Sequence, residues 1–331
     1  MRTLVFTCGD INGIGPEICI KAINQSFKAP QRKIIIICPK NVFNKTAEII
    51  KPSFNYEFIQ TLSELKRKSK SVTILDTGSC KYSFGKPSKE AGIISISAIK
   101  YAYSAVRSNL ADAIITAPVS KISLNLAGIK YPGQTEILAN LCKSKNYMMV
   151  FLSDDFICGL ATIHEQIKNV SNLLTKVRIK TLLKILDSTL KNDLGFVNPE
   201  IAVLGLNPHA GEGGNIGKEE IQVLIPVIKS IKNMKIAGPF VPDAFFGNQK
   251  QKIYDAVLGM YHDQVLIPFK MLNFNTGVNF TAGIPIIRTS PDHGTGYDIA
   301  GKGIANDQSM MESIRWAEKI VDNRRKLHRE G

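Results

Sequence analysis

Nine short runs in this chain read as strands, several of them apolar throughout: residues 3–8 (TLVFTC), 33–38 (KIIIIC), 72–76 (VTILD), 112–117 (DAIITA), 149–153 (MVFLS), 157–163 (ICGLATI), 201–206 (IAVLGL), 256–261 (AVLGMY) and 278–290 (VNFTAGIPIIRTS). A strand that buries one face alternates apolar with polar residues. A strand covered on both faces does not, and two-sided burial is the habit of parallel sheets. Between the runs lie segments of helical period at 16–26, 91–109, 135–143, 169–191, 218–233 and 309–327. Alternation of this kind predicts an α/β fold, and the length of 331 residues predicts two domains flanking a cleft. Pro16 fits the first position of the first helix, and Glu17 complements the positive end of its dipole.

Charge narrows the partners. The chain carries a formal net charge of +14, yet its lysines are dispersed and no basic stripe is interleaved with aromatics. Nucleic acid is therefore disfavoured, and an anionic small substrate accounts for the sign. Glu64–Ser71 (ELKRKSKS) reads as solvated surface between elements, and 322–331 (DNRRKLHREG) as a frayed helix end. No run approaches the roughly 18 apolar residues of a membrane span. The opening MRTLVFTCGD has neither the apolar core nor the small-residue cleavage site of a secretory signal. The cysteines Cys8, Cys19, Cys38, Cys80, Cys142 and Cys158 form no CxxC pair and read as reduced core thiols of a cytoplasmic protein.

Three histidines stand just beyond apolar strands: His164 after GLATI, His209 after IAVLGLNP and His262 after AVLGMY. In open α/β sheets ligands gather at the carboxyl ends of strands, so three such imidazoles can meet at one divalent metal. Asp263 and Glu165, each beside a histidine, are the expected orienting partners. The competing reading is three unrelated histidines, each satisfied by its own hydrogen bonds. A fourth, His293, lies in the polar, glycine-rich stretch Arg288–Gly303, where Asp292 can cap a helix. Arg288, Lys270 and Asn279 are together able to hold an anion. The stretch GLNPHAGEGGNIGKEE (Gly205–Glu220) can be a phosphate cradle, a metal-ligand loop or a flexible turn. GEGGNIG misses the dinucleotide fingerprint, because residue 216 is Ile where the third glycine should fall, and GDINGIGPE also fails the spacing.

Taken together, the stretches GDINGIGPE, TAPVSK, GQTEILA, HEQIKNV, GLNPHAGEGG, GPFVPDAFF, YDAVLGMYHDQVLIPFK and VNFTAGIPIIRTSPDHGTGYDIAGKG resemble, in order and over nearly the whole chain, the 4-hydroxythreonine-4-phosphate dehydrogenase family of vitamin B6 synthesis. The resemblance implies a fold similar to the isopropylmalate and isocitrate dehydrogenases. Residues 1–125 with 285–331 would form the first domain, and 126–284 the second, carrying metal ligands and dimer contacts. It implies a homodimer that uses NAD or NADP without the usual fingerprint, with a divalent metal (zinc, magnesium or cobalt) held by His164, His209 and His262, one of the three coming from the other subunit. Gln134, Thr135, Lys270, Asn279 and Arg288 would contact substrate. Gly211, Gly213, Gly214, Asn215, Gly294 and Gly296 would contact the cofactor. Asp243, Asp263 and Lys121 are candidates for the base.

The implied reaction is oxidation of 4-phosphooxy-L-threonine at C3, followed by loss of carbon dioxide to give 3-amino-2-oxopropyl phosphate. The chain departs from the family pattern in two places: Gln134 stands where GHTE is usual, and the first loop reads GDING where GDPAG is common. Gln cannot carry charge or relay a proton near neutral pH. A related dehydrogenase of a phosphorylated four-carbon sugar acid (phosphothreonate or phosphoerythronate) is therefore the nearest alternative. A three-histidine metallohydrolase and a non-catalytic phosphometabolite-binding protein follow it.

Overall fold

The computed structural model describes residues 1–26, 32–67 and 71–330, apart from the side chains of 66, 67 and 330. Residues 68–70 of the basic run fall outside this description, and Leu62–Arg67 forms a short 3-10 helix. The chain divides into two compact units. The first comprises Met1–Lys143 with Pro285–Val321, and the second Ser144–Ile284 with Asp322–Gly331. Residues 126–143 thus group with the first unit and 322–331 with the second, the reverse of the sequence-based expectation for both segments.

The first unit holds strands β1 (Arg2–Thr7), β2 (Arg32–Ile37), β3 (Tyr56–Ile59), β4 (Val72–Leu75), β5 (Ala113–Thr116) and β12 (Ile287–Pro291). They lie in the order β3-β4-β2-β1-β5-β12, and every pairing is parallel. Helices α1 (Gly15–Ser26), α2 (Lys40–Ile49), α3 (Lys89–Arg107), α4 (Lys121–Leu126) and α5 (Gln134–Leu141) belong to this unit, as does the first part of α11 (Gln308–Glu330). The apolar runs are buried as their composition demands: Leu4, Val5 and Phe6 of β1 and Ile34 to Ile37 of β2 are all at most 2% exposed. The strand order reverses between β1 and β5. In a doubly wound sheet that reversal opens a crevice beyond the carboxyl ends of the two strands.

The second unit holds β6 (Met148–Leu152), β7 (Cys158–Leu160), β8 (Glu200–Leu204), β9 (Lys235–Phe240), β10 (Ala256–Gly259) and β11 (Val278–Ala282). Their order is β11-β6-β7-β10-β8-β9. The run β7-β10-β8-β9 is parallel, while β6 pairs antiparallel with β11 and β7. Its helices are α6 (Ile167–Leu173), α7 (Lys176–Ser188), α8 (Ile225–Ser230), α9 (Pro242–Gly247) and α10 (His262–Asn273). Phe151, Phe156, Val257, Val265, Leu266 and Phe269 build a buried cluster between sheet and α10.

Several elements differ from the pattern expected. The single run 278–290 is two strands, broken at Gly283, whose φ of +82° turns the chain. The single helix expected over 169–191 is α6 and α7, because Thr175 stops one and caps the next, accepting the Arg178 N–H at 3.2 Å. The C-terminal segment is not frayed: α11 runs to Glu330, and Arg324 Nε donates to Asp193 Oδ1 at 2.6 Å while Asn323 Nδ2 reaches the Asp193 carbonyl. Among the described residues no helix is long and apolar enough to cross a membrane.

Candidate functional site

In the second unit, the three predicted histidines follow three neighbouring parallel strands. His164 comes after β7, His262 after β10 and His209 after β8, with β10 in the middle. Parallel neighbours end at the same edge of the sheet, so the chain carries all three residues to one side. The rings of His164 and His262 stand 6.3 Å apart, centroid to centroid, at 35°. Two imidazoles sharing one zinc-like ion sit on the order of 5 Å apart, so this pair is close to ligating distance. Nδ1 of His262 lies 2.6 Å from Oδ1 of Asp263. A proton held there by the carboxylate leaves the Nε2 lone pair for a metal.

The pair lines a cavity of about 280 Å³ together with Thr162, Glu165, Tyr261 and Asp263. Two long-range bonds shape its walls. Thr162 Oγ1 donates to the Met260 carbonyl at 2.8 Å, and buried Gln264 joins the loops after β10 and β8, accepting from Met260 N–H and donating to the Gly205 carbonyl, both at 2.7 Å. His209 is exposed and does not join the pair. Among the described residues no three metal-ligating side chains cluster. Glu165 is exposed beside His164. The pair and its carboxylate fit a divalent metal, but within one chain the set is two ligands short of a closed site.

Backbone strain marks two of the three histidines. His164 (φ +45°) and His209 (φ +52°) are two of the few non-glycine residues in the left-handed region. His209 opens a left-handed turn that continues through Ala210, Gly211, Glu212 and Gly213. Each non-glycine residue there costs about 1–2 kcal/mol, and such strain gathers at functional sites. The turn is held from behind by Glu220, whose buried carboxylate accepts the Leu206 and Asn207 N–H groups at 2.7 and 2.9 Å. A Cβ on Gly211 would lie 2.6 Å from that carboxylate, so Gly211 is required for packing, whereas Gly213 has open space around it. Gly214 is also left-handed, and Asn215 is exposed.

In the first unit, the loops after β1, β5 and β12 meet at the switch point. Gly9 of the GDING loop approaches the TAPVSK segment so closely that a Cβ would stand 2.3 Å from the Pro118 carbonyl oxygen. Asp10, fully buried, accepts from Ser123 Oγ at 2.6 Å and from the Tyr297 hydroxyl at 2.8 Å. Burial pushes the Tyr297 hydroxyl up, with Ser120 and Ser123 opposing. Asn12 Nδ2 donates to the Lys86 carbonyl at 2.8 Å, and its Oδ1 accepts the Ser83 N–H at 2.8 Å.

Beside this network, Arg288 on β12 is 2% exposed. Its Nε and Nη2 donate to Thr116 Oγ1 at 3.0 and 2.8 Å, and its Nη1 lies 3.4 Å from Thr135 Oγ1. Burial pulls its pKa down to about 10, against the opposing charge of Glu136. Thr135 and Gln134 open α5, whose preceding Gly133 offers no side-chain cap. Gln134 Nε2 donates to the Ala117 carbonyl at 3.0 Å, and its buried Oε1 has no partner. A guanidinium, a hydroxyl and an uncapped helix start are the ingredients of an anion site.

The remaining predicted residues are distributed over both units. Asn279 lies on β11 with Oδ1 buried and unpartnered, and Lys270 lies in the last turn of α10. Asp243 is exposed in the first turn of α9, and Lys121 is exposed at the start of α4. Gly294 has open space around it, and Gly296 (φ +53°) packs on Ile14. The Asp292 N–H donates to Ser309 Oγ at 3.1 Å, which ties the end of β12 to the first turn of α11, a helix that starts at Gln308. The Asp10 and Asn12 networks escaped sequence reasoning, since their partners lie far away along the chain.

Comparison with known proteins identifies the family and the fold. Residues 30–317 match the family model described as Pyridoxal phosphate biosynthetic protein PdxA. The chain is 37% identical to the 4-hydroxythreonine-4-phosphate dehydrogenase of Prosthecochloris aestuarii, covering 99% of this chain and 100% of that one. It is 38% identical to the D-threonate 4-phosphate dehydrogenase of Salmonella typhimurium, over 97% and 99%. Among solved structures, the 4-hydroxythreonine-4-phosphate dehydrogenase of Klebsiella pneumoniae superposes with a TM-score of 0.83 at 35% identity, covering 97% of this chain and 100% of that one. The chain therefore belongs to the PdxA family of pyridoxal phosphate biosynthetic proteins, a family of dehydrogenases.

Proposed function

We propose that this chain oxidises 4-phosphooxy-L-threonine at C3, using NAD or NADP and a divalent metal, and that the resulting β-keto acid decarboxylates to 3-amino-2-oxopropyl phosphate. The observation that carries the reading is the His164–His262 pair with Asp263 on His262 Nδ1, at the carboxyl ends of adjacent parallel strands. His164, His262 and His209 would hold the ion, one of them from a second copy of the chain. When bound, the ion would supply Lewis acidity for the C3 hydroxyl, and the nicotinamide would supply the hydride acceptor.

The protein's own residues bind and orient. Arg288 and Thr135 grip the phosphate or carboxylate, with the start of α5 adding N–H dipoles. Gln134, Lys270 and Asn279 complete the substrate contacts. Asp263 orients His262, which leaves Asp243 and Lys121 as candidates for the group that takes the hydroxyl proton. The glycine-rich loops at Gly211–Gly214 with Asn215, and at Gly294–Gly296, take the cofactor; open space at Gly213 and Gly294 supports a close backbone approach.

A homodimer belongs to the same reading. Ile267, Met271 and Phe274 are exposed at i, i+4 and i+7 along α10 and just past its end, an apolar stripe on the helix that begins with His262. Six free cysteines, four of them buried, fit a reducing, cytoplasmic setting.

A second reading is oxidation of D-threonate 4-phosphate or a similar sugar acid. It is favoured by Gln134, a neutral side chain committed to the Ala117 carbonyl in place of an ionisable one. The deciding experiment follows NADH absorbance with both substrates, with and without chelator. Chelator-sensitive NADH formation with the hydroxythreonine phosphate supports the first reading. Turnover with the sugar acid alone selects the second, and turnover indifferent to chelator removes the metal.

A further inference from the structure

Residues 292–307, between β12 and α11, form a long connection without helix or strand. Connections of this length in a compact unit usually carry function. One face of α1 and the residue before it bind this loop in register. Ile14 N–H donates to the Thr295 carbonyl at 2.8 Å. The Glu17 carboxylate accepts the N–H groups of Gly301 and Gly303, the latter at 2.9 Å. Lys21 Nζ donates to the Ala305 carbonyl at 2.7 Å, and Gln25 Nε2 to Asp307 Oδ2 at 2.9 Å. Positions 14, 17, 21 and 25 share one helical face, and their partners ascend the loop in the same order.

Glu17 is the unusual member. It is fully buried, and burying a carboxylate is expensive unless hydrogen bonds satisfy it. Both satisfying donors are backbone N–H groups of left-handed glycines, at φ +78° and +70°. In a trans peptide the carbonyl points opposite to the N–H. Turning Gly301 and Gly303 onto Glu17 therefore turns the carbonyls of Ala300 and Lys302 away from it, as acceptors.

We propose that Glu17, with Lys21 in support, is a positioning residue for the nicotinamide cofactor. It fixes the peptide planes of residues 300–303 so that the loop offers carbonyl acceptors to the hydroxyl and amino donors of the cofactor's nucleoside portion. The inference rests on the assignment of the neighbouring glycine loop to the cofactor.

Glu17→Gln tests it in the full-length protein. An amide keeps one acceptor but sets an NH2 against one of the two backbone donors, so one peptide plane must turn. The dissociation constant of NADH, read by its fluorescence, should rise about tenfold, and KM for the nicotinamide cofactor should rise more than kcat falls. KM for the phosphorylated substrate should stay within about twofold. Lys21→Met should move the NADH constant the same way by about threefold, and it carries the test if Glu17→Gln fails to fold. A folded Glu17→Gln protein with unchanged NADH affinity, or with both KM values raised alike, overturns the proposal. Wild-type protein that binds no NADH would instead overturn the cofactor assignment and this inference with it.

Discussion

Replacing Arg288 by Met removes a guanidinium that is buried and held by two threonine hydroxyls. Its pKa near 10 corresponds to about 3 kcal/mol against the charged form in the folded chain. Because this folded-state pKa lies below the unfolded one, the unfolded chain binds that proton more tightly. Stability therefore rises with pH only above about pH 10, and at neutral pH the full penalty stands. Losing the donors to Thr116 and Thr135 costs about 1–2 kcal/mol, so the relieved penalty exceeds the loss by about 1–2 kcal/mol, before any cost of repacking.

The Met variant without ligand should melt within about 1 kcal/mol of wild type or above it, and the difference should be flat from pH 6 to about pH 9. Ligand should separate the two proteins. Phosphorylated substrate at about a hundred times its Kd stabilises wild type by about 2.7 kcal/mol, or about 5–10 °C in Tm for a domain of this size. The variant should show almost no shift. Trp316, the single tryptophan and a buried residue of the same unit, reports both melts. A loss of more than about 2 kcal/mol without ligand, or an unchanged ligand shift, would refute the reasoning and make Arg288 a structural residue.

Three further outcomes follow from the geometry. Asp263→Asn should weaken zinc binding about 10–100-fold in a chelator competition, because the carboxylate on His262 Nδ1 is lost; unchanged affinity would remove Asp263 from the site. Glu212→Gly should raise stability to urea by about 0.5–1 kcal/mol, since Glu212 holds φ +45° on an exposed turn; a loss would mean its side chain supports the turn. Phe269→Ala should cost about 3–5 kcal/mol in the same assay, as Phe269 is fully buried against Phe151 and Phe156.

The sequence made central strands legible and edge strands nearly invisible, for one physical reason. β1, β2, β4, β5, β8 and β10 are covered on both faces and read as apolar runs. β3 (YEFI) and β9 (KIAGPF) lie at edges, half exposed, and β9 tolerates Gly238 and Pro239 there. α10 was hidden by Pro268 within it and by an apolar run continuous with β10. Placement of the histidines was readable because a residue following a parallel strand must emerge at the carboxyl edge. The partners of Asp10 and Glu17 were not, because Tyr297, Gly301 and Gly303 lie more than 280 residues away and no local pattern links them.

The discontinuity of the first unit has a consequence during translation. β12 pairs with β5, and Arg288 reaches Thr116 across 172 residues of chain. All of Ser144–Ile284 must leave the ribosome before β12 exists. At about 5–20 residues per second this interval is on the order of 10 s. For that time the nascent first unit displays the apolar edge of β5 with nothing beside it, while the second unit already has all six of its strands by the time β12 emerges. A chain released near residue 143 would be an aggregation-prone fragment, and Arg288 is among the last residues to join the sheet as the protein is made.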